Sequence, residues 1–155
     1  MKQRFIALGT IAVALFCIAR IGAFAQSDIE NHRSCARCGM DRKAYGFSRM
    51  LVQYDDGATV GVCSLHCAVI ELEANQGRMI KTLLVADRDT RTLIDAENAI
   101  WIMGGKKRGV MTQRAKWAFQ TKAAAEAFIN TNGGEIVSWA EALAAARKEL
   151  AQEPR

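Results

Sequence analysis

Four cysteine thiols stand in two short segments of this chain. CARCGM, residues 35–40, carries Cys35 and Cys38 with Met40 directly after them, and VCSLHC, residues 62–67, carries Cys63 and Cys67 with His66 beside the second. The full spacing is Cys-x2-Cys, 24 residues, then Cys-x3-Cys. Thiolate is both a soft ligand and a nucleophile. Four of them in paired segments therefore admit two structural disulfides, a four-thiolate zinc site, a redox couple, or a site for a soft ion such as Cu(I). Met40 favours the last, because a thioether beside thiolates selects Cu(I) over harder cations. Taken alone, a Met is more often core filler and a His at a helix start more often a surface or capping residue, so Met40 and His66 are candidate ligands on the strength of their neighbours. Met111, in GKKRGVMTQ, lies in a polar loop punctuated by glycine where no apolar period calls for it, and is a further candidate thioether donor.

Compartment bears on what a Cys pair means. Lys2 and Arg4 begin the chain, residues 5–19 are almost wholly apolar, and Ala23-Phe24-Ala25 offers the small-x-small pattern of a signal peptidase site before Gln26. Residues 1–25 thus read as a secretory leader, and the rest as an exported, periplasmic domain over residues 26–155. The apolar run is short for a membrane span of about 20 residues, and Arg20 interrupts it. Cys17 follows Phe16, whereas a lipoprotein signal needs a small residue there.

Removing the leader takes three basic residues and no acid, leaving 18 basic against 16 acidic side chains and a net charge of about +2. No basic run is interleaved with stacking aromatics, so nucleic acid is not an expected partner. The chain has two His, no legible Ser-His-Asp set and no phosphate loop, and Gly104-Gly105-Lys106 lacks the spacing and hydroxyl of one. No enzyme and no small-molecule substrate is indicated.

The elements that must position the sulfurs are short and alternate in type. Residues 48–54 and 58–63 flank Asp55-Asp56-Gly57, a hairpin signal. Ser64 is placed to cap a helix through about Asn75, with Gly77 just beyond, and residues 79–87 form the next strand. The order then repeats: strands at 99–104 and 115–120, a helix from Lys122 to about Asn130 capped by Thr121, a stop at Gly133-Gly134, and a strand at 135–139. Ser138 and Glu141 make a capping box for a last Ala-rich helix. The prediction is an α+β fold of tandem ββαβ units, about 35–90 and 91–155, with a C-terminal helix. Trp101, Trp117 and Phe119 alternate along strands as core. A strand ending at Cys63 and a helix carrying Cys67 in its first turn are neighbours in space, so all four sulfurs can meet there.

CARCGMD, TLIDAENAIWIMG, the Gly-Val-Met loop at Met111 and TKAAAEAFINTNGGEIVSWAEAL together resemble the NosL family, the nitrous oxide reductase accessory proteins that act as periplasmic copper chaperones. The resemblance covers nearly the whole exported chain. It implies Cu(I) binding, a periplasmic copper enzyme as client and an ABC-type assembly complex as partner, with the family's motif residues falling on Cys38, Met40 and Met111. VCSLHCAVIEL looks in addition like the Cys-x3-Cys half of TRASH-like metallochaperone domains, which strengthens the expectation of metal.

Overall fold

The computed structural model describes residues 28–152; the expected leader lies outside the described residues. Strands β1 (Met50–Tyr54) and β2 (Thr59–Val62) form the expected hairpin, antiparallel with Gln53 opposite Thr59. Its turn needs a left-handed backbone at Gly57, φ +85°, which glycine adopts without a Cβ penalty. Helix α1 (Leu65–Ala74) follows, and β3 (Ile80–Ala86) returns beside β1. A short strand, β4 (Leu93–Asp95), adds to the far edge of β3, giving a four-stranded sheet in the order β2-β1-β3-β4. The second unit repeats the plan. Strands β5 (Ile100–Met103) and β6 (Lys116–Phe119), helix α2 (Lys122–Asn132) and β7 (Glu135–Val137) make a sheet in the order β6-β5-β7, and α3 (Trp139–Ala151) closes the chain. In both units the first strand lies between the second and the third, all antiparallel.

Period-2 alternation explains how the two units share cores. Trp101 and Ala118 face a cluster with Met50, Val52, Val62, Val69 and the α3 residues Ala142 and Ala146, whereas Ile102, Trp117 and Phe119 face Ala125 and Phe128 of α2. Strands β5 and β6 are therefore buried on both faces, which is why IWIM and KWAF are so poor in polar residues. Lys116 is the exception, and its Nζ is satisfied by the Glu149 carboxylate at 2.8 Å, Thr112 Oγ1 at 2.8 Å and the Arg114 carbonyl at 2.9 Å. Helix α3 turns back onto the first unit. Trp139 at its start packs 5.4 Å from the Trp101 ring, and Arg147 near its end pairs with Glu73 of α1 at 3.1 Å.

The N-terminal segment is held to this body by a buried charge cluster. Asp28, on a helical turn at residues 28–31, accepts from Arg42 at 2.8 Å and from Arg49 at 2.9 and 3.0 Å, with all three residues buried. Arg42 spends its remaining donors on the carbonyls of Asp28, His32, Met50 and Val62. Gly61 leaves room for this guanidinium: a Cβ there would lie 2.4 Å from His32 Cβ and 2.6 Å from Arg42 Cζ. Gly61→Ala is accordingly expected to destabilise the protein by about 1–3 kcal/mol, the usual cost of overfilling a packed site. Urea unfolding measures it, and an unchanged midpoint would show that Arg42 swings clear.

Candidate metal centre

The CARCGM segment is the tip of a small hairpin. Ser34 and Asp41 bridge its base, the Cys35 amide donates to the Met40 carbonyl at 2.8 Å, and the Gly39 amide donates to the Cys35 carbonyl at 2.9 Å. Gly39 takes φ +77°, the left-handed step that turns the tip back on itself. The Ala36 amide donates to the Gly61 carbonyl at 3.0 Å, which docks the hairpin against β2 just before Cys63.

This docking brings the two cysteine segments together. The sulfurs of Cys35, Cys38, Cys63 and Cys67 all lie within 4.8 Å of one another. Cys63 Sγ is 3.5 Å from Cys38 Sγ and 3.7 Å from Cys67 Sγ. Four thiolates bound at about 2.3 Å around one ion would be separated by about 3.8 Å. The cluster is thus already spaced as a sulfur-bound ion requires, and all four cysteines are free thiols. Cys35, Cys63 and Cys67 are buried, and Cys38 is exposed.

The thiols divide unequally between protonated and ionised forms. Hydrogen bonding with Cys67, and then with Cys38 and Ser64, outweighs burial and holds Cys63 down to about 5. Cys67 is pushed up as the other half of that bond and by burial. Burial raises Cys38 to about 11 against the opposing hydrogen bond from the Met40 backbone. At neutral pH the cluster holds a thiolate at Cys63 braced by thiol donors, and an incoming cation must displace protons from Cys38 and Cys67 to gain their thiolates.

A second set of residues holds the hairpin tip to α1. Glu71, one turn beyond Cys67, is buried at 2% exposure, and its carboxylate accepts from Arg37 Nε at 2.6 Å, Tyr54 Oη at 2.7 Å and Asn75 Nδ2 at 2.9 Å. Arg37 is one of the two residues inside the Cys-x2-Cys segment. Its bond to Glu71 therefore ties the turn bearing Cys35 and Cys38 to the helix bearing Cys67. Arginine between two cysteines was the available signal for this tie, but nothing in the sequence marked Glu71 as its partner.

Of the three other expected site residues, His66 falls outside the four-sulfur cluster, and Met40 and Met111 sit in different surroundings. Met40 is partly buried against the core that contains Cys35, Cys63 and Cys67, and its backbone serves the hairpin. His66 is buried at 4% exposure and lines a small cavity with Phe47, Ser64, Trp101, Val110 and Lys116, on a different side of the α1 start from the cysteines it separates. Met111 lies in the second unit, 43% exposed and at φ +52°, in a basin formed by the β5–β6 loop with Lys106, Arg108 and Arg114. Ser64 occupies the N-cap position of α1 but makes no side-chain cap; its hydroxyl sits 3.8 Å from Cys63 Sγ instead.

Among the described residues no helix is long and apolar enough to cross a membrane. No curated protein matches the chain in sequence. Among solved structures, the crystal structure of the copper chaperone NosL from Shewanella denitrificans shares its fold, with a TM-score of 0.54 at 21% identity over 70% of this chain and 87% of that one. Residues 26–146 match the NosL family, and with this tandem ββαβ fold beneath its cysteine hairpin the chain belongs to that family.

Proposed function

We propose that this protein is an exported, periplasmic carrier of Cu(I), which is its cargo, and that it hands the ion to a periplasmic copper enzyme such as nitrous oxide reductase through an ABC-type assembly complex at the membrane. The observation that carries the reading is four thiols within 4.8 Å with only Cys38 at the surface. Buried sulfurs hold a soft ion away from water and oxidants, and one exposed sulfur lets a partner's ligand enter by stepwise exchange. Family membership supports the cargo, since the Shewanella relative is a copper chaperone. Cys35, Cys38, Cys63 and Cys67 are the proposed principal ligands, with Met40 and Met111 as thioether donors at or near the point of transfer.

Zinc is the second reading. Two cysteine pairs closing on one point are the donor set of a structural zinc site, and the spacing of the sulfurs fits it. Titration of the reduced protein against a chromophoric Cu(I) chelator, repeated with Zn(II), separates the two. The expected result is one Cu(I) per chain, held in preference to Zn(II); failure to compete for Cu(I) ends the carrier reading. Met40→Leu and Met111→Leu keep volume and apolarity, so each is expected to cost less than about 1.5 kcal/mol of stability while lowering Cu(I) affinity and sparing Zn(II). Unchanged copper affinity in both variants would leave these thioethers as packing.

A further inference from the structure

We propose that Cys38 and Cys63 form a thiol–disulfide exchange pair when the site carries no ion, with Cys38 as the point of attack on a small disulfide and Cys63 as the resolving thiol. The inference uses the same four sulfurs as the carrier reading but does not depend on which ion they hold.

Access selects the first residue. Cys35 is 3% exposed and Cys63 and Cys67 are fully buried, whereas Cys38 stands at the surface on the hairpin tip. A disulfide with two substituents can be approached only by Cys38. Proximity selects the second: Cys63 Sγ lies 3.5 Å from Cys38 Sγ, behind it on the protein side. The pair therefore spans the two sequence segments and is not the Cys35–Cys38 couple that the Cys-x2-Cys spacing suggests. Cys35 faces inward, with its amide and carbonyl both engaged by the hairpin's own backbone bonds.

The chemistry balances without metal or oxygen. The Cys38 sulfur attacks one sulfur of a low-molecular-weight disulfide such as oxidised glutathione; a mixed disulfide forms, and the first thiol leaves with the proton from Cys38. The Cys63 thiolate then attacks the Cys38 sulfur and displaces the second thiol as its thiolate, which takes a proton from water. Two protein thiols are oxidised and one small disulfide is reduced to two thiols. Two of the four donors are then lost, and the remaining sulfurs, Cys35 and Cys67, are both buried. An oxidised carrier must meet a thiol reductant before it can load again, so a reducing step on this site precedes each loading that follows oxidation.

The test is disulfide mapping of the purified protein, reduced, freed of metal and exposed to oxidised glutathione without air. Trypsin separates Cys35 from Cys38 by cleaving after Arg37 and leaves Cys63 and Cys67 together on residues 50–78. The expected product is the Cys38 peptide linked to that fragment, with tandem fragmentation placing the bond on Cys63. Cys38→Ser is expected to slow oxidation by about tenfold or more, because the remaining thiols are shielded. In Cys63→Ser the glutathione adduct on Cys38 is expected to persist. A Cys35–Cys38 bond, a Cys63–Cys67 bond or a lasting adduct in the unaltered protein would overturn the pair. Copper titration of the oxidised and re-reduced forms gives an independent reading: if the reduced form fails to bind Cu(I) while the Cys38–Cys63 link still forms, the carrier reading falls and the exchange pair stands.

Discussion

Cys67→Ser is expected to lower Cu(I) affinity by about tenfold or more, about 1.4 kcal/mol on the usual conversion, without unfolding the protein. Cys67 is fully buried in the first turn of α1, 3.7 Å from Cys63 Sγ. Water cannot readily take its place as a ligand there, and a serine hydroxyl is a hard, weak donor to a soft ion. The substitution is close in shape, so the thermal melt of the metal-free variant should follow that of the unaltered protein. Chelator competition gives the affinity and circular dichroism the fold. Unchanged affinity would confine the ion to the CARCGM hairpin and Cys63, and would remove α1 from the site.

The largest effect on stability is expected from Asp28→Asn. Asp28 is the counter-charge shared by Arg42 and Arg49, whose exposures are 0% and 1%. Asparagine keeps the shape but takes the carboxylate charge away from both buried guanidiniums and turns one acceptor into a donor facing them. Breaking a buried pair in this way costs about 3–5 kcal/mol, a large share of the roughly 5–15 kcal/mol that holds a typical domain folded. A fall in Tm of about 10 °C or more is expected by calorimetry. A change below about 1 kcal/mol would mean that the carbonyls around Arg42 and Arg49 suffice. The loss should also reach the metal centre, because Arg42 holds the Val62 carbonyl beside Cys63 at 3.1 Å.

The sequence revealed those elements whose signals are local. Asp55-Asp56-Gly57 marked a hairpin that forms as expected, Thr121 accepts from the Ala124 amide at 3.3 Å, and the Ser138–Glu141 capping box is present in both directions. Convergence of the four cysteines was also legible, because a strand end and the next helix's first turn are adjacent in any fold. Features made by distant residues were not. The three-residue β4 carries no periodicity and exists only because β3 has a free edge for it. The Asp28–Arg42–Arg49 cluster joins charged residues that read as surface until the chain closes over them. His66, beside Cys67 in sequence, is turned away by the helix, since adjacent residues on a helix point about 100° apart.

The return of α3 onto α1 has a bearing on the order in which this molecule is completed. Helix α1 carries Cys67, and its outer cover comes from residues 139–151, close to the end of the chain. Contacts between segments so far apart in sequence form late, because the intervening loop must first be closed. The first unit's own ββαβ segment can therefore pair early, while the side of α1 that packs on α3 is covered only once the second unit is in place. The core behind Cys67 is thus completed by a helix that follows the whole of the second unit.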